Sequence, residues 1–224
     1  MRLLFVLFIL AASARISFAL PPTHPDESWI LAKDCTFTAS DKSFSIRQYY
    51  DDKSGWKIWV IPRDRPAYLL SDLNPDLQYS DDAVTWHLSP DDQWLARSQR
   101  LGSGTYTLQL YHCEKNQPFS SVTPEALGDL ARTFYERHSG LSRDQCFIDH
   151  PRSKFVRWEG SGALIVALSG QSTMCEPMWV TDQWLVGYDL KNRKFFLTED
   201  LIEKNERRIY PVVHPVSEAA ADLR

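Results

Sequence analysis

The stretch AVTWHLSPDDQWLARSQRLGSGTYTLQLYH, residues 83–112, decides the fold. Its apolar side chains tend to recur at every second position, the period of a β-strand. Three segments have this pattern, at 83–88, 94–101 and 106–112. Residues 89–92 (SPDD) and 102–104 (GSG) separate the segments and have the composition of turns. The stretch therefore predicts three consecutive antiparallel strands, that is, a meander.

Further strand patterns lie on both sides of this meander. Residues 44–50 and 56–61 flank a polar turn, and together they predict a hairpin. The other expected strands are at 67–70, 155–158, 163–168, 184–190, 194–197 and 210–215. The predicted fold class is mainly β, built from antiparallel meander sheets.

One amphipathic helix is expected near residues 124–138. Its apolar stripe follows the i, i+3, i+4, i+7, i+8 rule and consists of Leu127, Leu130, Ala131, Phe134 and Tyr135. Thr123 is the expected N-cap, Pro124 fits the first helical position and Gly140 marks the end. The charged segment 198–208 predicts a second, short helix. We expect the first helix to lie with one face on the sheet.

Residues 88–96 (LSPDDQWLA), followed by 108–111 (LQLY), resemble one blade of a β-propeller of the WD40-like or TolB-like type. Residues 156–164 resemble such a blade more faintly, and 187–195 resemble its outer hairpin. Asp92 stands where these blades usually carry glycine. Blades have roughly 40–50 residues and propellers usually have four to eight of them. The resemblance therefore implies blade-like sheets in an irregular or incomplete propeller, with a β-sandwich as the alternative.

The amino terminus predicts an export signal. An apolar run at 3–12 (LLFVLFILAA) follows Arg2, and 17–19 (SFA) places small residues where a signal peptidase cuts. The run is shorter than the roughly 20 residues that span a bilayer as a helix. The expected organisation is a signal peptide at 1–19, an extended lead-in at 20–42, a single β-rich domain with the inserted helix at 43–215 and a tail at 216–224. We expect a secreted or periplasmic protein with no integral membrane segment after cleavage.

Four cysteines follow the signal: Cys35, Cys113, Cys146 and Cys175. An oxidising compartment and an even number of cysteines favour two disulfide bonds. Three pairings are possible; pairing neighbours in the sequence gives Cys35–Cys113 and Cys146–Cys175. Buried free thiols are the alternative. A zinc site is not expected, because the chain has no C-x-x-C motif.

The charge of the chain bears on its partners. The net charge is −4, and loss of the signal removes two arginines and no acid. No basic run is present, which argues against a nucleic-acid partner, since phosphate contacts depend on Lys and Arg. The Asp pairs at 51–52, 81–82 and 91–92 could collect oxygen ligands for calcium, but solvated turns are the better interpretation. We therefore expect no metal and no cofactor.

The sequence contains no common catalytic motif: the G-x-S-x-G, H-E-x-x-H, Walker and Rossmann patterns are all missing. His150 beside Asp149 is the best candidate for a general base. Trp56, next to a turn, is a candidate ligand contact, although core packing suits most of the tryptophans. We expect a non-catalytic binding module for a protein or glycan, and the alternative is a secreted hydrolase that uses His150 and Asp149.

Overall fold

The computed structural model describes residues 24–52, 55–70, 84–101, 104–114, 117–142, 145, 148–172 and 175–212. The fold is mainly β, with 52% of the described residues in strands and 12% in helices, as the sequence predicts. The strands form two sheets, and nearly all strand pairs are antiparallel. The predicted signal peptide, 1–19, and the predicted tail, 216–224, lie outside the described residues.

The first sheet has four strands in sequence order: β1 (Ile30–Thr38), β2 (Phe44–Asp51), β3 (Gly55–Pro62) and β4 (Tyr68–Leu69). The predicted β2–β3 hairpin is confirmed. Strand β1 falls inside the segment expected to be an extended lead-in. It pairs instead with β2, and the register shifts between Ala32 and Phe37. The first sheet thus includes part of the segment 20–42.

In the part of the chain that the structure describes, the second sheet contains nine strands. They are β5 (Val84–Leu88), β6 (Trp94–Arg100), β7 (Tyr106–His112), β8 (Ser120–Ser121), β9 (Asp149–Glu159), β10 (Ala163–Ser172), β11 (Trp179–Asp189), β12 (Lys194–Phe196) and β13 (Ile209–Pro211). Their order is β12-β11-β10-β9-β7-β6-β5, with β8 on β7 and β13 on β11. The predicted β5–β6–β7 meander is confirmed. The sheets do not identify a propeller repeat in the described chain, so the propeller resemblance stays a prediction.

Helix α1 (Leu127–His138) joins β8 to β9, and the structure corrects its predicted start. Its N-cap is Ala126, without a side-chain cap, rather than Thr123. The Thr123 hydroxyl instead donates to the carbonyl of Glu125, which holds this segment in a turn. The connection brings β9 parallel to β7, where Tyr106 is opposite Arg152.

The apolar stripe of α1 lies on the second sheet, as expected. Leu127, Ala131 and Tyr135 are fully buried, whereas Leu130 and Phe134 are only partly covered. The predicted short helix is also present as α2 (Glu199–Asn205), where the Thr198 hydroxyl accepts the Leu201 N–H. Leu201 packs on the opposite face of β10 and β11.

Strands β6 and β7 form the middle layer of the domain and are buried on both faces. On the face that carries α1, one apolar cluster with residues of β10 and β11 includes Trp94, Ala96, Leu108 and Leu110. On the other face, Leu95 and Tyr111 join a second apolar cluster with the first sheet. The two clusters place α1 and the first sheet on opposite faces of the meander.

A buried arginine lies against Trp86, on the face of the meander that packs on the first sheet. Arg97 is 1% exposed, and its guanidinium lies 5.4 Å from the centre of the Trp86 ring. Its Nη1 donates to Gln109 Oε1 at 2.9 Å, and the Tyr111 hydroxyl donates to the same oxygen at 2.8 Å. This polar network links β5, β6 and β7 within an otherwise apolar layer.

Candidate functional site

A polar pocket of about 240 Å³ opens among β9, β10 and β11. We call it the His150 pocket. Its lining consists of Asp149, His150, Arg152, Ser169, Gly170, Gln171, Val180, Thr181 and Asp182. The pocket therefore contains the pair that the sequence singled out, Asp149 and His150, together with polar residues from two other strands.

An irregularity in β10 creates the pocket. The register of β10 shifts against β9 between Ser169 and Gln171, and against β11 between Leu168 and Gly170. Shifts of this kind interrupt a ladder and redirect side chains, and they are frequent beside functional sites. The bulged residues follow the buried run 164–168, so the strand changes from an apolar core element to a polar wall at this point.

Two non-glycine residues beside the bulge have left-handed backbones. His150 has φ +49° and Gln183 has φ +53°, values that are uncommon outside glycine. The His150 N–H donates to Asp149 Oδ1 at 2.9 Å, and the Gln183 N–H donates to Ser169 Oγ at 2.9 Å. Side chains of the pocket wall thus hold both residues in these conformations. Backbone strain of this kind is concentrated at functional sites.

The charged groups of the pocket face solvent. Asp149 Oδ1 lies 3.9 Å from His150 Nε2, and these side chains are 47% and 58% exposed. Arg152 is anchored, because its Nε donates to the Gly104 carbonyl at 2.9 Å. The Asp149–His150 contact is longer than the roughly 2.6–3.2 Å of a general base with its partner. The geometry is that of exposed hydrogen-bonding groups rather than an assembled catalytic pair.

The inner wall of the pocket is tied to the helix. Thr181 Oγ1 lies 2.6 Å from the hydroxyl oxygen of Tyr135, and both residues are buried. Since Tyr135 belongs to the buried stripe of α1, this contact fixes β11 against the helix. The pocket therefore has a rigid base beneath its exposed rim.

The sequence did not predict Arg152, Ser169, Thr181 or Asp182 as site residues. These residues meet only through strand pairing, and the catalytic motifs do not include them. One signal was present: Gly170 sits in a strand pattern, and an isolated glycine there indicates a bulge. That signal predicts an irregularity but not the side chains that surround it.

The candidate ligand contact Trp56 lies beside the core. Trp56 is half-buried, with its ring centre 5.1 Å from that of Tyr50, and it contacts the apolar cluster of the first sheet. This position suits packing. A ligand contact at Trp56 stays a prediction.

The aspartate pair at 91–92 forms a turn, as expected. Asp91 Oδ1 accepts hydrogen bonds from the Ser89 hydroxyl and the Gln93 N–H. Asp81 and Asp82 lie outside the described residues. Within the part of the chain that the structure describes, no group of three or more His, Cys, Asp or Glu side chains could hold a metal ion.

Among the described cysteines, no two sulfur atoms lie at bonding distance. The structure therefore does not contain the expected Cys35–Cys113 bond. Cys35 belongs to the apolar cluster of the first sheet and Cys113 packs against it, but Cys113 Sγ is directed to the Asp92 carbonyl, 3.6 Å away. Burial raises the pKa of the Cys113 thiol. Cys146 lies outside the described residues, so its pairing with Cys175 stays a prediction.

No helix in the described ranges has both the length and the apolar character needed to cross a bilayer. Comparison of the chain with protein-family models, with curated proteins and with solved structures gave no match.

Proposed function

We propose that this protein is an exported, non-catalytic binding module whose His150 pocket binds a glycan. The observation that carries the proposal is the convergence of two carboxylates, a guanidinium, an imidazole and two hydroxyls on one small pocket. A ligand rich in hydroxyl groups can pair with such a lining, because each hydroxyl both donates and accepts.

The size and openness of the pocket favour one sugar residue at the end of a glycan. A volume of about 240 Å³ is below the roughly 300–1,000 Å³ typical of pockets for drug-sized molecules. Asp149 and Asp182 would accept from sugar hydroxyls, and Arg152 would donate. The buried Thr181 hydroxyl lies at the base, where it can contribute to orientation.

The test is a binding measurement with purified protein and a panel of immobilised glycans, followed by titration calorimetry with the best ligand. Asp182→Asn keeps the size of the side chain but removes its charge, and it should weaken binding about tenfold. Glu203→Gln is the matched control, because Glu203 is an exposed acid on α2, outside the pocket lining. Binding of no glycan, or equal affinity of both variants, would contradict the proposal. If a protein bound through the same residues instead, the ligand of the His150 pocket would be a protein and not a glycan.

Hydrolysis is the second candidate function, because Ser169, His150 and Asp149 share the pocket. The observed geometry is less suited to it. The His150–Asp149 distance is 3.9 Å, and the Ser169 hydroxyl already accepts from Gln183. Release of product from ester or glycoside substrates, abolished in His150→Gln, would establish the enzyme. We expect no turnover.

The export part of the proposal has its own test. Expression of the full chain in a cell with a secretory pathway should give an extracellular or periplasmic product. Its amino-terminal sequence should begin at Leu20. Mass spectrometry of the unreduced product would show whether the cysteines are linked. A cytosolic product that retains Met1 would overturn the export proposal without affecting the binding site.

A further inference from the structure

A second cavity, of about 580 Å³, lies between the first sheet, the β5–β6 turn and β9. Its walls carry the aromatic side chains of Phe37, His87, Phe155 and Trp158, and Asp92 stands among them. We call it the aromatic cleft. It shares no lining residue with the His150 pocket.

The aromatic groups form a continuous wall. The imidazole of His87 stacks on the Phe155 ring with centroids 4.1 Å apart and planes 18° apart. The Phe155 and Trp158 centroids are 5.2 Å apart. Burial lowers the pKa of His87, so this ring is uncharged at neutral pH. The wall therefore offers neutral π-faces rather than a positive charge.

The only charged side chain in the lining is acidic. Asp92 contributes a carboxylate, and the lining includes no lysine or arginine. Burial, and then the negative charges of Asp41 and Asp91, raise the pKa of Asp92. Asp92, with Asp41 and Asp91 near it, thus places negative charge beside the aromatic side chains, and a bound cation would relieve the repulsion among these carboxylates.

We propose that the aromatic cleft binds a quaternary ammonium group. Such a cation is attracted to aromatic faces within about 6 Å, most strongly to Trp. Its methyl groups lose little on leaving water, and its charge pairs with the carboxylate of Asp92. A sugar or a neutral peptide would use the aromatic faces but not this concentration of charge. The proposal is independent of the glycan-binding function.

The backbone at Asp92 permits a clean variant. Asp92 has φ +59°, a left-handed conformation that asparagine also tolerates. Asp92→Asn therefore removes the charge without disturbing the turn. Trp158→Ala removes an aromatic face, and Trp158→Phe retains one as a check that the site itself is intact.

The experiment measures binding of choline to the purified full chain by calorimetry and tryptophan fluorescence. The neutral isostere 3,3-dimethylbutan-1-ol has the same shape without the charge. Choline should bind at least tenfold more tightly than the isostere. Asp92→Asn and Trp158→Ala should each weaken choline binding at least fivefold, and Trp158→Phe should weaken it less than Trp158→Ala. Glu206→Gln, outside the lining, should bind like the parent.

A peptide containing trimethyllysine, beside the same peptide with unmodified lysine, identifies the source of the ammonium group. Tighter binding of the methylated peptide than of choline assigns the cleft to a protein ligand, and the reverse assigns it to a small molecule. Equal affinity for choline and its neutral isostere would overturn the proposal. So would unchanged choline affinity in Asp92→Asn and Trp158→Ala variants whose circular dichroism and melting match the parent.

Discussion

The hydroxyl oxygen of Tyr135 lies 2.6 Å from Thr181 Oγ1, which joins the helix to the wall of the His150 pocket. The two residues are 46 positions apart in the chain, and both are buried. A buried hydroxyl that loses its partner costs more than an exposed one, because water cannot replace the bond.

Tyr135→Phe should therefore lower the free energy of unfolding by about 1–2 kcal/mol, since it leaves the Thr181 hydroxyl without this partner. Urea denaturation measures the change. The double variant Tyr135→Phe/Thr181→Val removes both polar groups and should be more stable than the sum of the single changes predicts. Strict additivity would show that the two hydroxyls do not interact.

Gly128→Ala should destabilise the protein although alanine is the better helix former by about 1 kcal/mol. A Cβ at position 128 would lie 2.7 Å from the Ser153 Cβ and 3.1 Å from the backbone nitrogen of Leu108. Relief of this overlap requires α1 to move away from β7 and β9, at a cost of about 1–3 kcal/mol. Thermal melting measures it, and Ser153→Gly in the same chain should recover part of the loss. A higher melting temperature for Gly128→Ala alone would show that α1 does not lie this close to β7 and β9.

Asp92→Gly should stabilise the fold by about 0.5–1 kcal/mol, because glycine adopts φ +59° without steric cost. It should also weaken choline binding at least fivefold, as Asp92→Asn does, since the carboxylate is lost. Asp91→Gly is the matched control in the same turn. This control should destabilise, because Asp91 accepts hydrogen bonds from Ser89 and Gln93. Chemical denaturation measures the free energy of unfolding of both variants. A loss of stability in Asp92→Gly would show that the backbone at Asp92 is not strained.

The stability of the protein should fall as the pH drops below neutral, partly through His87. Burial lowers the pKa of His87 from its ordinary value of 6.5, so the unfolded chain binds the proton more readily than the folded one. The contribution of neutral His87 is present above 6.5 and is lost as the pH falls from there through the lower folded pKa. His87→Phe keeps a ring on Phe155 and should show a weaker loss of stability as the pH falls below 6.5. Identical pH profiles for parent and variant would exclude this role.

The meander was predictable because its signals are local. Residues 94–100 and 106–112 are separated by turn-forming residues, and each strand lies beside its neighbour in the sequence. Strand β1 was missed because Lys33 and Asp34 interrupt its apolar pattern, and its register on β2 is irregular. The helix start was misplaced because Thr123 has the composition of an N-cap but uses its hydroxyl in a turn.

Only the part of the candidate site that depends on local sequence could be predicted. Asp149 and His150 are adjacent, so the sequence could pair them. Ser169 and Thr181 reach them only through the two register shifts of β10, which depend on how three strands meet. The sequence gives no signal for the aromatic cleft, since its residues Phe37, His87 and Phe155 come from three separate strands.

The sandwiching of β6 and β7 between two apolar clusters governs how solvent deuterium can reach their amides. Each strand has hydrogen-bonded neighbours on both sides, and neither face is open to water. Exchange at Leu95, Ala96 and Leu110 therefore requires the cooperative opening of the entire domain, whereas β4, two residues long at a sheet edge, can exchange by fraying. Among the described residues, we expect the amides of the central meander to be the slowest to exchange.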